Sequence, residues 1–372
     1  MRKYNGKDFI DKLYNLDFNG LCYNLDYLIN NLEILKQDIS IIKNCKLIFA
    51  VKANSNNKVL KIIGKTIDGF DCASIEEFKM VNGFKNNIIS CVGPSFNTLE
   101  ISQLIKENVY FDFVSFHQLY TFLTDNFEKK NNKTFHIGIR VKVPGIESRF
   151  GFSKEKIKII KKYNILIERI HFHHSGRNLK SFIEELKKVK ELIFDLENLH
   201  FLKTINIGGG FELIYSKSQS KKLMQYIENF RWEISMFINR DIEIIIEPGD
   251  LIARPIGFIS ASIIDIENNY ITINSSIYNF STWYNPYKMY YKGNVLDNNK
   301  DYENDCYIVS GNSCSEEDIF FYARNNVLFN INDKILLYPM GAYNFFNTFK
   351  SIHGLCSKVI YYLDGEFCYD KI

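Results

Sequence analysis

At 372 residues the chain is long enough for one α/β barrel of roughly 250 residues and a smaller second domain. Its 46% hydrophobic and 24% charged content, with 31 Phe and 23 Tyr available for cores, excludes disordered and fibrous classes. Lys and Arg total 46 against 43 Asp and Glu, and the net +3 calls for no nucleic-acid and no anionic-membrane partner, so a small molecule is the expected ligand.

The opening residues, Met1-Arg-Lys-Tyr-Asn-Gly-Lys-Asp8, have no apolar run of the secretory kind. No stretch approaches eighteen uninterrupted apolar residues, and a cytoplasmic protein is expected. The segment ending in Gly20-Leu21-Cys22-Tyr23-Asn24 reads as a strand able to pair with the C-terminal part of the chain, and 27–37 reads as a helix.

Eight short β-type runs follow, at 45–51, 69–73, 87–92, 110–115, 135–141, 169–173, 204–207 and 243–246. They start one strand plus one crossover helix apart. Between them, 74–82, 154–162, 179–196 and 217–238 carry apolar residues at helical spacing. Eight βα units predict a closed (β/α)8 barrel of the TIM type over residues 25–255. After Arg254 the helical period gives way to strand-like stretches at 256–266, 270–273, 306–310 and 334–338. Residues 1–24 plus 256–372 are therefore expected to form a discontinuous β domain.

In such a barrel the chemistry gathers just past the C-terminal ends of the strands. The first run ends in Ala50-Val51-Lys52-Ala53-Asn54. A lysine on that apolar lip can lose charge by desolvation and become an amine suited to a Schiff base; it is also what an ordinary solvated strand end looks like. The sixth run, Arg169-Ile-His-Phe-His-His-Ser-Gly176, alternates so that His171 and His173 share one face. One imidazole there can stack or move a proton, or simply be buried and hydrogen-bonded, and no partner at metal spacing accompanies it. Gly208-Gly209-Gly210 after the seventh run lets backbone amides approach a phosphate, although a tight turn has the same composition. Glu247-Pro248-Gly249-Asp250 ends the eighth, where Glu247 can keep a heteroaromatic nitrogen protonated or close the barrel through an ion pair. The eight cysteines, at 22, 45, 72, 91, 306, 314, 356 and 368, form no CxxC pair and no metal-ligand grouping, and most are expected reduced and buried.

Seven segments, Ala50-Val-Lys-Ala-Asn54, Gly69-Phe-Asp-Cys-Ala-Ser74, His171-Phe-His173, Gly208-Gly-Gly210, Glu247-Pro-Gly249, Gly311-Asn-Ser-Cys314 and Gly341-Ala-Tyr343, occur in an order and spacing that resembles the ornithine/diaminopimelate decarboxylase family. The resemblance spans nearly the whole chain. It implies pyridoxal 5'-phosphate as cofactor, an alanine-racemase-like barrel with a C-terminal β domain, and a homodimer with shared active sites. It makes Lys52 the lysine that bonds the cofactor, Asp71 that lysine's neighbour, and His173 the imidazole stacked on the cofactor ring. Gly208, Gly209 and Gly210, with Gly249 and Tyr343, belong to the phosphate surroundings, Arg140 reaches the phenolic oxygen, and Glu247 pairs with the pyridine nitrogen. Cys314 is the acid that returns a proton to Cα, acting from the partner subunit; a buried structural cysteine is the other reading. Asp318 keeps the family's four-residue spacing after the cysteine and, with Ser315 and Glu316, falls to the substrate side.

The sequence also departs from the family. Asp250 follows Glu247-Pro-Gly where the ornithine and diaminopimelate enzymes place an arginine on the phosphate, an acidic residue here being similar to the carboxynorspermidine decarboxylase branch; Arg254 lies four residues on. The usual phosphate-binding hydroxyl is displaced by one position, to Ser175. Ser315, not an acid, follows Cys314, which weakens ornithine specificity, and the aromatic stretch 278–287 suits a longer amine-bearing substrate or a dimer interface. The resemblance implies decarboxylation of an α-amino acid with a polar, amine-bearing side chain, such as a polyamine precursor. Glu247, in a place where racemases of this fold carry an arginine, argues against a racemase or epimerase, and intact Lys52, Glu247 and Cys314 argue against a non-catalytic binding protein.

Overall fold

The computed structural model describes residues 6–84, 87–127, 135–160, 165–196, 199–216, 219–280, 284–300, 306–324, 327–343 and 358–369. Cys356, the end of the helix expected at 154–162, the start of that at 217–238, and 281–283 of the aromatic stretch lie outside the described residues. The chain divides into two compact units, one of residues 32–52 and 63–251, the other of 1–31, 53–62 and 252–372. The second unit thus takes in 53–62, which the sequence reading assigned to the barrel.

Strand β1 (Gly20–Asn24) belongs to the second unit. The next eight form a closed parallel barrel in chain order: β2 (Cys45–Ala50), β3 (Gly69–Cys72), β4 (Ile88–Val92), β5 (Tyr110–Phe113), β6 (Phe135–Arg140), β7 (Ile165–His171), β8 (Thr204–Asn206) and β9 (Glu243–Ile246). Closure is through β2 and β9, with Cys45 opposite Ile244. Each run read from the sequence became one strand. The sixth is displaced: β7 starts at Ile165 and stops at His171, so His173 lies past the strand end rather than two positions along it. A register shift between Ile137 and Gly138 in the pairing of β6 with β7 accompanies that displacement.

Crossover helices start where side chains satisfy their first amides. Ser74 accepts from Glu77 N–H at 3.2 Å ahead of Ile75–Val81, and Asn97 and Asn178 form capping boxes ahead of Thr98–Lys106 and Leu179–Asp195. The last of these buries Phe182, Leu186, Val189 and Ile193 on one face, at the spacing its sequence shows.

The second unit is a ten-stranded mixed sheet. Strand β1 lies between β10 (Gly257–Glu267), antiparallel, and, in parallel, a strand near the C-terminus, Val359–Leu363, as the N-terminal reading anticipated. The strands Tyr270–Ile273, Cys306–Ser310 and Lys334–Tyr338 appear with the bounds read from the sequence. A helix that the sequence did not disclose, Gly6–Asn15, seats Phe9 and Leu13 among Phe258, Leu336, Ile360 and Tyr362. Phe9 meets Phe258 and Tyr362 edge-on at 5.1 and 4.9 Å, and burying one such ring contributes about 2 kcal/mol. Residues 53–56 join this unit through backbone: Tyr343 N–H donates to Ala53 O at 2.7 Å and Asn54 Nδ2 to Gly341 O at 2.8 Å. Among the described residues no helix is long and apolar enough to cross a membrane.

Candidate active site

Two buried carboxyl groups stand at the C-terminal side of the barrel strands and are driven in opposite directions. Asp71, on β3, is 1% exposed and neither of its oxygens has a hydrogen-bond partner. Burial, then the charge of Glu247, pushes its pKa well above the ordinary carboxylate value, with Lys52 and His171 acting against the rise. Glu247, one residue past β9, is equally buried, yet His171, Lys52 and a hydrogen bond from Asn206 overcome the burial penalty and hold it below the usual range. Asn206 Nδ2 donates to Glu247 Oε2 at 2.9 Å. Two carboxyl groups whose surroundings push their pKa values apart are the arrangement by which a site assigns acid and base roles.

The cation that keeps Glu247 ionised is His171. Its Nε2 lies 3.2 Å from Glu247 Oε1 and its Nδ1 3.6 Å from Asp112 Oδ2, charge contacts without hydrogen-bond alignment. Burial alone lowers an imidazole; the two carboxylates outweigh it and push His171 up to about 9. Asp112 is in turn paired with Arg169, whose Nε donates at 3.0 Å while its Nη2 donates to Phe111 O at 2.7 Å. Gly138 makes room for that pair, because a Cβ there would stand 1.7 Å from Asp112 Oδ1. A line of alternating charge, Arg169, Asp112, His171, Glu247, thus crosses the barrel between strands far apart in sequence.

His173 differs from His171 in every respect. Burial and the positive charges of Arg177, Lys52 and Arg140 take it well below the usual imidazole value, so the ring is neutral. Its Nδ1 accepts from Gly209 N–H at 3.1 Å, which leaves the proton on Nε2. Arg140, at the end of β6, donates from Nη2 to the His173 carbonyl at 3.1 Å. Gly208 and Gly210 have φ of +72° and +81°, a conformation open to glycine without strain. Side chains in the Gly208–Gly210 loop would also collide: a Cβ on Gly208 would be 2.7 Å from His173 Nδ1, and one on Gly209 2.7 Å from the Glu247 carbonyl. The loop is thereby brought against both His173 and Glu247.

Lys52 follows β2 in a short 3-10 turn, Val51–Ala53, and its side chain is exposed, so apolar desolvation is not what distinguishes it. What surrounds it is charge, since the ammonium acts on Asp71, Glu77, Glu247 and His173. Ser175 is exposed on the loop after β7, Gly249 is buried, and Asp250, 6% exposed, opens the short helix Asp250–Ala253. Arg177, which the sequence reading passed over, is the largest fully buried side chain among the described residues; only its place in the His-His-Ser-Gly-Arg run could have pointed to it.

In the second unit Cys314 is exposed, in a turn shaped by Asp318. Asp318 is 1% exposed and accepts from Ile277 N–H at 2.7 Å and Ser313 N–H at 3.1 Å. Those two amides orient its carboxylate toward backbone, packed against Gly311, where a Cβ would be 2.3 Å away. Ser315 Oγ is 2.6 Å from Tyr278 Oη, and Glu316 and Glu317 are exposed. Tyr343 has φ of +58°, and its ring lies 5.8 Å from that of Tyr284, over which Arg254 stacks at 3.7 Å. Of the seven free cysteines described, Cys22, Cys72, Cys91 and Cys306 are buried, Cys45 and Cys368 are half-buried and Cys314 is exposed; no metal-holding cluster occurs among the described residues.

The barrel residues fit pyridoxal phosphate. An exposed amine stands among buried acids, Asp71 keeps two buried oxygens unsatisfied, and a glycine loop meets a neutral imidazole and an ionised carboxylate. Residues 28–254 match the pyridoxal-dependent decarboxylase pyridoxal binding domain. The chain is 26% identical over 352 residues to the diaminopimelate decarboxylase of Campylobacter jejuni, covering 87% of this chain and 85% of that one. It is also 26% identical over 277 residues to the 2-[(L-alanin-3-ylcarbamoyl)methyl]-2-hydroxybutanedioate decarboxylase of Staphylococcus aureus, covering 68% of this chain and 66% of that one. The crystal structure of Campylobacter jejuni carboxynorspermidine decarboxylase complexed with norspermidine superposes with a TM-score of 0.75 at 20% identity, over 95% of this chain and 96% of that chain.

Proposed function

Because the chain belongs to the pyridoxal-dependent decarboxylase family, we propose that it removes the α-carboxylate of an amino acid whose side chain carries an amine, in the manner of a diamino acid or a carboxylated polyamine. The observation that carries the decarboxylase assignment is Glu247, a buried carboxylate kept ionised by His171 at 3.2 Å and Asn206 at 2.9 Å. Bound pyridoxal phosphate supplies a sink for the electron pair released when the Cα–carboxylate bond breaks and carbon dioxide leaves. Glu247 would hold a proton on the ring nitrogen, the charged His171 keeping Glu247 itself ionised.

Lys52 Nζ would hold the cofactor through its carbonyl carbon, with Asp71 beside it. His173, neutral and tied to the glycine loop, would offer a flat face for the ring, and Arg140 would hold the phenolic oxygen. Gly208, Gly209, Gly210, Gly249 and Ser175 belong to the phosphate end, with Tyr343. Cys314 Sγ–H delivers the proton that replaces carbon dioxide on Cα, the resulting thiolate then taking one from water. In this reading Cys314 serves a site of the partner subunit in a homodimer, and the protein resides in the cytoplasm. The exposed Glu316 and Glu317 beside it, with Ser315, Tyr278 and Tyr284, favour a cationic substrate end held by carboxylates and ring faces.

The test is carbon dioxide release by the cofactor-loaded protein from ornithine, lysine, arginine, diaminopimelate, carboxynorspermidine and the carboxylate-rich Staphylococcus substrate, with products identified by mass. Release from an amine-terminated compound supports the proposal. Release from the carboxylate-rich compound alone rejects the amine-bearing substrate, and Cα deuterium exchange without carbon dioxide rejects decarboxylation.

A further inference from the structure

Arg177 is fully buried, and a guanidinium taken out of water must be paired and hydrogen-bonded. Its Nε donates to Glu185 Oε2 at 2.9 Å, and Glu185 is itself buried on the helix Leu179–Asp195. Its Nη1 donates to the carbonyls of Ile207, at 2.9 Å, and Gly209. The rings of Phe172, Phe182 and Phe211 surround its Cζ at 5.8, 5.1 and 5.9 Å, and its Nη2 is buried with no hydrogen-bond partner. One cation is thus anchored by an acid at one end and grips two carbonyls of the glycine loop at the other.

A planar trans peptide points its N–H opposite to its C=O. Arg177, by drawing the Ile207 and Gly209 carbonyls toward itself, turns the Gly208 and Gly210 amides away. The Gly208 amide is consumed by Asn206 Oδ1 at 2.9 Å, and that of Gly209 by His173 Nδ1. Of the three glycine amides, that of Gly210 has no acceptor among the described residues, and it belongs to the peptide whose carbonyl Arg177 polarises. Directly after Glu247-Pro-Gly stands Asp250 rather than a cation, and the next cation along the chain, Arg254, stacks over the Tyr284 ring at 3.7 Å.

We propose that Arg177 is the positioning residue of the phosphate site: it orients the Gly209–Gly210 peptide so that the Gly210 N–H meets the phosphate of the cofactor, and it places a fixed positive charge behind the loop. This rests on the pyridoxal phosphate reading of the barrel. The phosphate group is therefore what the variant should feel, whereas binding of the ring and carbonyl through Lys52 should be indifferent to it.

The experiment titrates the protein with pyridoxal phosphate and, separately, with pyridoxal, which lacks the phosphate, following the visible absorbance of the bound chromophore. The double variant Arg177→Gln/Glu185→Gln removes both members of the buried pair and strands neither charge, and circular dichroism reports its fold. The expected result is a Kd for pyridoxal phosphate raised at least about tenfold, with that for pyridoxal within about twofold of wild type. Arg177→Lys keeps the charge without the forked reach and is expected to fall between; it carries the same criterion if the double variant does not fold. Equal weakening for both ligands, or no change for either, overturns the proposal. A wild-type protein that takes up neither ligand overturns the cofactor reading itself.

Discussion

His171, at the end of β7, and Glu247, one residue past β9, share one charge contact of 3.2 Å between Nε2 and Oε1, and through it each sets the other's protonation. Burial opposes charge on both, and each overcomes that penalty through the other: His171 rises to about 9 and Glu247 falls below its ordinary value.

Replacing His171 by Asn removes the cation that keeps Glu247 low. The Glu247 titration then moves upward, so the acid limb of the kcat/KM profile shifts toward neutral pH and activity at pH 6 drops by about tenfold or more. A pH–rate series on the variant measures this, and an acid limb that stays in place rejects the assignment.

Asp71 has a folded pKa raised well above 3.8, so its contribution to stability is lost as pH rises from that value through the folded one. Asp71→Asn keeps the shape and removes the titration. The variant is expected to unfold at a higher temperature than wild type at pH 8, with the gap closing toward pH 4, and to lose activity because a neighbour of Lys52 is gone. Thermal unfolding of both proteins across that range decides it.

Gly138→Ala puts a methyl group 1.7 Å from Asp112 Oδ1 and 2.8 Å from Arg169 Nη2, two members of a buried ion pair. The expected cost is about 3 kcal/mol or more in urea unfolding, since neither charge has another place to go. A cost near zero would mean that the pair can separate and that the charge line behind His171 is not needed for the fold.

Lys52 is exposed, so Lys52→Ala should keep the fold, read by circular dichroism, while abolishing the visible absorbance gained on adding pyridoxal phosphate. An unchanged spectrum refutes its role.

Cys314→Ala should retain that absorbance and lose turnover. Mixing it with Lys52→Ala protein should restore part of the activity through hybrid dimers; no recovery, with subunit exchange demonstrated, counts against sites completed by the partner subunit.

The amino-acid sequence by itself determined the barrel, because each βα unit is written in local hydrophobic period and turn chemistry within some tens of residues. It also located Lys52, His173, the Gly208–Gly210 loop and Glu247, since these lie at strand ends, where chain order already places them on one side of a closed sheet. It misplaced what depends on where a strand stops. Alternation set His171 and His173 on one face, but β7 ends at His171, so one became a charged member of a buried line and the other a neutral ring on the glycine loop.

Only the tertiary structure decided the charge partners. Asp112, Arg169, His171 and Glu247 come from three strands, and Arg177 reaches carbonyls 30 and 32 positions away, separations that leave no periodic trace in the chain. The same holds for Asp318, whose spacing after Cys314 is visible in the sequence while its burial against the Ile277 and Ser313 amides is not. Hydrophobic pattern is a property of neighbours along the chain; the protonation of a buried group is a property of neighbours in space, and it exists only once the barrel has closed.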